Sequence, residues 1–223
     1  MQNIFPQLRQ DLITGAWTLV APGRANRSEP VAPTKKRSVT PIETCPFEDI
    51  SQIAPAPTTI VGGKDQWRLL IAPNKFPALS HDNTCPVKVS KGLRTYMPAV
   101  GTHSILLTRD HNQPLSQLSA PAAAEMLETL RAYSHDGAKD PCCEYISIFQ
   151  NWGESAGASQ AHPHLQMLAL PVVPPGVQHS LDGSAAYQKQ TGNCAHCDII
   201  AEELAAAQRL VYENEGAIVI SPY

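Results

Sequence analysis

The order of secondary-structure patterns along the chain predicts an α+β fold in which a mostly antiparallel sheet is flanked by helices. Strands come first, one strong helix follows, more strands come next, and a helix and a hairpin close the chain. Hydrophobic residues make up 43% of the 223 residues and charged residues 17%, which is enough for a packed core and argues against wholesale disorder. The 20 prolines are nearly twice the usual share of roughly 5%, so much of the chain is expected to be loop or extended.

The first half of the chain alternates between short strand patterns and irregular, proline-rich stretches. Strands are expected within residues 13–22, 66–79 and 104–111. Stretches that lack hydrophobic periodicity are expected to form loops or compact turns at 23–44, 45–50 and 51–63.

The clearest helix lies at residues 119–135, where Ser119 can cap the first turn and Pro121 suits it. Its expected apolar face consists of Met126, Leu127, Leu130 and Tyr133. The patterns that follow predict strands at 144–151 and 162–174, a helix at 197–208 and a hairpin at 209–223.

Charge and hydropathy exclude several classes of protein. The net charge is −3, so no strongly basic field is present to hold nucleic acid. No run approaches 18 apolar residues, and the first residues lack the basic start and apolar core of a signal peptide. We therefore expect a cytoplasmic protein with no nucleic-acid or membrane partner.

Six cysteines in a chain expected to be cytoplasmic favour metal ligation or burial over a disulfide framework. Cys85 is expected in a loop without an evident role, and the neighbouring Cys142 and Cys143 are expected to be buried. The chain stops at Tyr223, directly after an apolar strand that has no later neighbour to pair with. We therefore expect the sequence to be the front part of a longer one.

The most informative stretch runs from Asn151 to Gln166. Because strand side chains alternate, His162, His164 and Gln166 are expected on one face, with the intervening apolar residues in the core. Upstream lies a loop whose glycines and serine can bring backbone N–H groups and a hydroxyl to a bound anion: Gly153, Gly157 and Ser159.

This set of groups suits nucleophilic catalysis at phosphorus. A neutral imidazole is a good nucleophile near pH 7, provided that a hydrogen bond holds its other nitrogen. Gln166 can donate to a phosphate oxygen as charge develops there. The alternative is a pair of surface or metal-bound histidines that carry out no chemistry.

The stretch of Asn, a Gly/Ser loop and His-Pro-His-x-Gln resembles the active-site signature of galactose-1-phosphate uridylyltransferases, the nucleotidyltransferase branch of the histidine-triad superfamily. Further similarity lies in the segments RQDLITGAWTLVAPGRANR, WRLLIAPNKFPAL, GTHSILLTRDHNQPLSQLS and CAHCDIIAEEL. The resemblance implies a histidine-triad-like fold of two tandem repeats, with the first at 1–190 and an incomplete second at 191–223. It also implies a homodimer acting in galactose and carbohydrate metabolism.

The resemblance implies a role for each matching residue. His164 would be the nucleophile that takes a nucleoside monophosphate from a nucleotide sugar, releases sugar 1-phosphate and passes the nucleotide to a second phosphate. Gln166 would hold the phosphoryl oxygens, and His103 lies at a position that would support the site. Substrate contacts are implied for Asn151, Ser159, Arg24, Arg27 and Asn74, beside the loop glycine Gly157.

Two groups of residues are candidate metal ligands by the same resemblance. One would hold a structural zinc ion with Cys45, Glu48, His111 and His162. Here Glu48 replaces the second cysteine of a Cys-x-x-Cys pair, and zinc accepts carboxylate oxygens as ligands. The other is the half-site Cys194 and Cys197, whose partner ligands would lie beyond residue 223.

Several alternatives remain open at this point. Asn74-Lys75 replaces the Asn-Asp of some uridylyltransferases and is similar to members that use adenine nucleotides, such as ADP-glucose and diadenosine-tetraphosphate phosphorylases. A second alternative is a simple histidine-triad hydrolase, although such enzymes usually carry a histidine where this chain has Gln166. A nucleotide- or zinc-binding module without turnover is a third alternative.

Overall fold

The computed structural model describes residues 5–12, 15–23, 41–53, 56–80, 84–153, 156–158 and 160–221. Three residues with predicted roles, Arg24, Arg27 and Ser159, lie outside the described residues. The chain divides into two units, which we describe separately: one up to Val173 and one from Pro174 onward. The predicted repeat boundary at 190/191 falls later in the chain, and the tandem repeat stays a prediction.

The first unit contains two antiparallel sheets and one long helix, α1 (Ala120–Gly137). Its strands are β1 (Gln7–Gln10), β2 (Trp17–Val20), β3 (Thr59–Val61), β4 (Leu69–Pro73), β5 (Val89–Lys91), β6 (Arg94–Pro98), β7 (Thr102–Thr108), β8 (Tyr145–Phe149) and β9 (His164–Leu170). The larger sheet has the order β3-β4-β7-β9-β8, and the smaller has the order β2-β1-β6-β5. This α+β architecture with antiparallel sheets is the predicted fold class.

The core lies on both faces of the larger sheet. Leu70 and Leu107 on β4 and β7 pack against Trp67 on one face. Ile71 and Leu106, from the same two strands, face the opposite way and join Met126 of α1. Since β4 and β7 are buried on both faces, residues 69–72 and 105–107 read as continuous apolar runs rather than as alternating patterns.

Helix α1 begins as predicted, with the Ser119 hydroxyl accepting a hydrogen bond from the Ala122 N–H. Met126 and Leu130 are buried against the sheet, but the prediction that Leu127 shares this face is wrong. Leu127 is 61% exposed, because it directly follows Met126 and successive side chains lie about 100° apart around a helix.

Strand β9 carries the histidine-rich stretch. It pairs with β7 so that Gln166 lies opposite Ile105 and His164 lies opposite Leu107. Met167 is buried in the α1-facing core, whereas His164 and Gln166 line a cavity on the other side of the sheet. The predicted alternation of site and core residues along this strand is therefore present.

The structure also contains elements that the sequence patterns do not predict. Strand β3 lies in the stretch expected to be irregular, and the β5–β6 hairpin turns at Gly92. These strands have three to five residues each, too few to establish a period of two.

The second unit holds helices α2 (Pro175–Thr191) and α3 (Ala195–Ala206) and a hairpin of β10 (Leu210–Glu213) and β11 (Ile218–Ile220). The hairpin turn at Asn214–Gly216 and the helix α3 agree with the sequence analysis. Helix α2 has no predicted counterpart, because its surface is largely polar and none of its residues is buried.

One cysteine prediction is wrong: Cys85 and Cys142 form a disulfide. It joins the segment before β5 to the segment before β8, across 57 residues of sequence. Spacing along the chain carries no sign of this pairing, because only the fold brings the two segments together. Cys143 remains a half-buried thiol.

No helix within the described ranges is long and apolar enough to cross a membrane.

Gly101 is a position where the fold requires glycine. Its φ is +150°, and a Cβ there would lie 2.1 Å from the carbonyl oxygen of Ala169 on β9. We expect Gly101→Ala to lower the free energy of unfolding by roughly 2–6 kcal/mol, from backbone strain and overpacking. Urea unfolding measures this change. Gly183→Ala in α2, where nothing lies within 4 Å, is the control and should be neutral or slightly stabilising; equal stability of the two variants would contradict the expectation.

Candidate active site

A cavity of about 450 Å³ lies over the face of the larger sheet that carries His164 and Gln166. Its polar groups come from the ends of β4, β7 and β9 and from the loop after β8. They are Asn74, Lys75, His103, Asn151, Gln160, His164 and Gln166. Its apolar wall is formed mainly by Leu19, Phe47, Ile53, Phe76 and Phe149. An apolar cavity with a few converging polar groups is the usual form of a small-molecule site.

His164 is held in one tautomer. Its Nδ1 lies 3.0 Å from the carbonyl oxygen of His162. A carbonyl oxygen can only accept, so Nδ1 carries the proton and the lone pair of the neutral ring is on Nε2. The Phe47 ring makes an edge-to-face contact with the imidazole, with ring centroids 5.6 Å apart. In this tautomer the imidazole ring can act as a nucleophile only through Nε2.

Gln166 lies two residues further along the same face. Its Oε1 is 3.1 Å from Nε2 of His103, a side chain that is only 5% exposed. This contact engages the acceptor end of the amide and leaves the NH₂ end as the donor that Gln166 offers in the cavity. Two N–H groups beside a nucleophile suit a phosphoryl oxygen that gains charge.

The loop after β8 and the end of β4 complete the cavity. The backbone N–H of Ala158 donates to the carbonyl of Gly153, which closes a turn in which Gly157 has a φ of +72°. A side chain other than glycine is strained in that conformation. After the end of β4, the Asn74 side chain accepts a hydrogen bond from the Phe76 N–H.

The four predicted ligands of the first metal site meet at one point. One ligand atom from each of Cys45, Glu48, His111 and His162 lies within 4.8 Å of the others. Glu48 Oε1 is 2.7 Å from His111 Nδ1 and 3.1 Å from His162 Nδ1. The turn at 45–48, the segment after β7 and the start of β9 are therefore joined at this cluster.

The protonation of His162 shows why this cluster suits a cation. Its Nε2 donates to the Thr108 carbonyl oxygen at 2.8 Å, so Nδ1 of the neutral ring faces Glu48 with a lone pair. In the neutral ring this lone pair and the Glu48 carboxylate oxygen repel each other, and a second ring proton would remove the repulsion. Burial lowers the pKa of His162 and so disfavours that proton. Burial also raises the pKa of the Cys45 thiol. A metal ion would bind all four ligand atoms at once, and a thiol, a carboxylate and two imidazoles are ligands that zinc accepts.

The second candidate pair lies in the other unit. Cys194 precedes α3 and Cys197 lies in its first turn, and both are exposed. The backbone N–H of Cys197 lowers the pKa of Cys194. Within the described part of the chain, the two thiols belong to no cluster of three or more metal-ligand side chains. The second metal site stays a prediction.

Some cavity residues escape the sequence reasoning. The apolar wall carries no motif of its own, although Phe47 lies between two predicted metal ligands, and that position indicates proximity to the site. Gln160 lies only two residues before His162, but in this loop only the glycines and the serine indicate anion binding. The spacing of such residues says nothing about a shared cavity, because they come from separate elements.

Comparison with known proteins gives one matching family model and several similar proteins. Residues 1–174 match the family model of galactose-1-phosphate uridyl transferase, N-terminal domain. The chain is 32% identical to ADP-glucose phosphorylase of Arabidopsis thaliana, over 100% of this chain and 64% of that protein. It is 29% identical to galactose-1-phosphate uridylyltransferase of Haemophilus influenzae, over 98% of this chain and 62% of that protein.

Solved structures give the same result. A uridylyltransferase aligns with a TM-score of 0.68 at 29% identity, over 94% of this chain and 59% of that one. The Arabidopsis thaliana ADP-glucose phosphorylase with bound ADP-glucose aligns with a TM-score of 0.64 at 29% identity, over 97% of this chain and 64% of that one. The chain thus spans about 62–64% of the length of these curated relatives.

Proposed function

Because the chain belongs to the galactose-1-phosphate uridyl transferase family, we propose that it moves a nucleoside monophosphate from a nucleotide sugar to a sugar 1-phosphate through a covalent bond to His164. The family is one of nucleotidyltransferases. The observation that carries the proposal is the hydrogen bond from His164 Nδ1 to the His162 carbonyl, which directs the lone pair to Nε2. The cavity around this nitrogen has room for a nucleotide and polar groups on two sides.

The proposed first step forms a bond between Nε2 of His164 and the α-phosphorus of the donor. The bond from that phosphorus to the bridging oxygen breaks, and the electron pair leaves with sugar 1-phosphate. The ring becomes a cation that keeps its Nδ1 proton, and the His162 carbonyl stabilises it through the existing hydrogen bond. In the second step a phosphate oxygen of the acceptor attacks phosphorus, and the neutral imidazole leaves.

Gln166 and the loop after β8 would stabilise the charge that develops on the phosphoryl oxygens. The NH₂ of Gln166 would donate to a non-bridging oxygen, beside Asn151 and the backbone at Gly157. Asn74 also lines the cavity and would contact the nucleoside. Arg24, Arg27 and Ser159 are proposed as further phosphate contacts on the resemblance alone.

The family resemblance also implies zinc, and the cluster of Cys45, Glu48, His111 and His162 fits that ion in its donor atoms. Zinc bound there would neutralise the facing donors and hold them together. The role of the chain's own residues is positional: His162 belongs to the cluster through its side chain and orients His164 through its carbonyl.

We expect Cys45→Ser to weaken zinc binding by at least roughly 100-fold, because the only thiol of the cluster is lost. Glu48→Cys, which supplies a second thiolate, should strengthen it. Metal content after dialysis against a graded chelator series measures both. Cys143→Ser is the matched control, since that thiol lies outside the cluster. Zinc content that Cys45→Ser leaves unchanged would contradict the assignment.

The first candidate donor is a uridine diphosphate hexose such as UDP-glucose, as the name of the matching family indicates. A second candidate is ADP-glucose or another adenine nucleotide. It is favoured by the similarity to ADP-glucose phosphorylase and by the pair Asn74-Lys75 in the cavity wall, which resembles the family members that use adenine nucleotides.

Intact-protein mass after incubation with each donor tests the proposal. A mass increase equal to UMP after UDP-glucose would assign a uridylyltransferase, and one equal to AMP after ADP-glucose or diadenosine tetraphosphate would assign an adenylyltransferase. Loss of the adduct on adding a sugar 1-phosphate would establish the second step. A folded protein that forms no adduct with any donor would overturn the proposal in favour of a binding module without turnover.

A further inference from the structure

We propose that His103 is a positioning residue that fixes the orientation of the Gln166 amide toward the phosphate. The inference rests on the proposed nucleotidyl transfer and assigns a role to a buried side chain that the chemistry above does not use directly. His103 lies on β7, and its Nε2 is 3.1 Å from the side-chain amide of Gln166 and 3.1 Å from that of Asn74.

The tautomer of His103 follows from a backbone contact. The N–H of Ala78 donates to Nδ1 of His103 at 3.0 Å. A backbone amide nitrogen can only donate, so Nδ1 holds the lone pair and the proton of the neutral ring is on Nε2. The ring is therefore a hydrogen-bond donor toward the cavity, and it is held in that state by the main chain.

Gln166 is the acceptor of that proton. Its Oε1 lies 3.1 Å from Nε2 of His103. This contact holds the oxygen end of the amide at His103, so the NH₂ end is the one presented to a bound phosphate. Asn74 already places one NH₂ group beside the N–H of His103, so of the two amides only Gln166 offers it an acceptor. Reversing the Gln166 amide would place a second NH₂ group there and would present a carbonyl oxygen to an anionic phosphate. Because a glutamine amide has two such orientations of similar shape, the donor on His103 decides which of them is populated.

Asn74 lies near the same nitrogen but does not compete for the proton. Its Nδ2 is 3.1 Å from Nε2 of His103, while its Oδ1 accepts from the Phe76 N–H. The backbone N–H of Asn74 also donates to the His103 carbonyl at 2.8 Å. With the oxygen of Asn74 engaged elsewhere, the single proton on His103 goes to Gln166.

The test compares His103→Met with His103→Gln, since glutamine can place an N–H close to the position of Nε2. We expect His103→Met to slow single-turnover nucleotidylation about tenfold, the equivalent of one lost hydrogen bond, and His103→Gln to restore most of the rate. Combining His103→Met with Gln166→Ala should slow the reaction no more than Gln166→Ala alone. The proposal would be overturned if the rate loss of the double variant equalled the product of the two single losses, or if His103→Met reacted at the wild-type rate.

A second measurement does not depend on activity. ¹⁵N NMR of histidine-labelled wild-type protein reports the ring tautomer, and we expect the proton of His103 on Nε2. A proton on Nδ1 would overturn the inference even if the variants lose activity. Failure of the wild-type protein to form any adduct would instead contradict the proposed function, while the NMR result would still decide whether His103 is a donor to Gln166.

Discussion

Replacing His164 by asparagine is expected to abolish the covalent adduct and to reduce turnover of the nucleotide sugar by roughly 10⁴-fold or more, as loss of a nucleophile commonly does. Asparagine keeps a polar group near the position of Nδ1 but has no counterpart to Nε2, the nitrogen that would attack phosphorus. The measurement is the rate of sugar 1-phosphate release, with intact mass as a check on the adduct.

His179→Asn is the control for this experiment, because His179 is an exposed histidine on α2 and takes no part in the proposed chemistry. It should keep the wild-type rate. Thermal unfolding of both variants would show whether the fold is intact. A His164→Asn protein that is folded and still forms the adduct would exclude His164 as the nucleophile.

Replacing Gln166 by alanine is expected to slow formation of the adduct by roughly 10²–10³-fold, the usual loss for one preorganised donor to a developing oxyanion. The substitution removes both N–H groups beside His164, while the nucleophile itself remains. The adduct should therefore still form, but slowly, and a single-turnover time course separates this outcome from the complete loss in His164→Asn.

Gln166→Glu is a sharper variant of the same test, since it keeps the shape of the side chain and replaces the donors by a negative charge. It should be at least as slow as Gln166→Ala, because a carboxylate repels the phosphate. A glutamate variant that reacts at the wild-type rate would show that Gln166 does not donate to the phosphoryl group.

Much of the fold could be predicted from the sequence where patterns are long or carry distinct end signals. Helix α1 has a capping serine and 18 residues, and β9 alternates between cavity and core over seven. Helix α2 and the β5–β6 hairpin escaped because a polar helix and very short strands leave weak periodicity. The disulfide between Cys85 and Cys142 depends on tertiary contact alone.

Several polar side chains of the cavity could be predicted from the sequence, but its apolar wall, Gln160 and the hydrogen bonds could not. The stretch around His164 indicates the chemistry, and the similarity to a known family indicates the metal ligands. That His162 holds His164 by its carbonyl, and that Ala78 sets the tautomer of His103, depends on backbone geometry that no residue pattern encodes. In the proposed reaction, contacts of this kind would decide which nitrogen attacks and which amide end meets the phosphate.

Peptide mapping of the nucleotidylated protein tests the central claim most directly. The wild-type protein would be incubated with UDP-glucose or ADP-glucose, digested at neutral to alkaline pH, which protects acid-labile phosphoramidates, and fragmented in a mass spectrometer. We expect one nucleoside monophosphate on His164. A nucleotide on His162 or on any other residue, or no modified peptide from a folded protein under either donor, would contradict a covalent mechanism at His164.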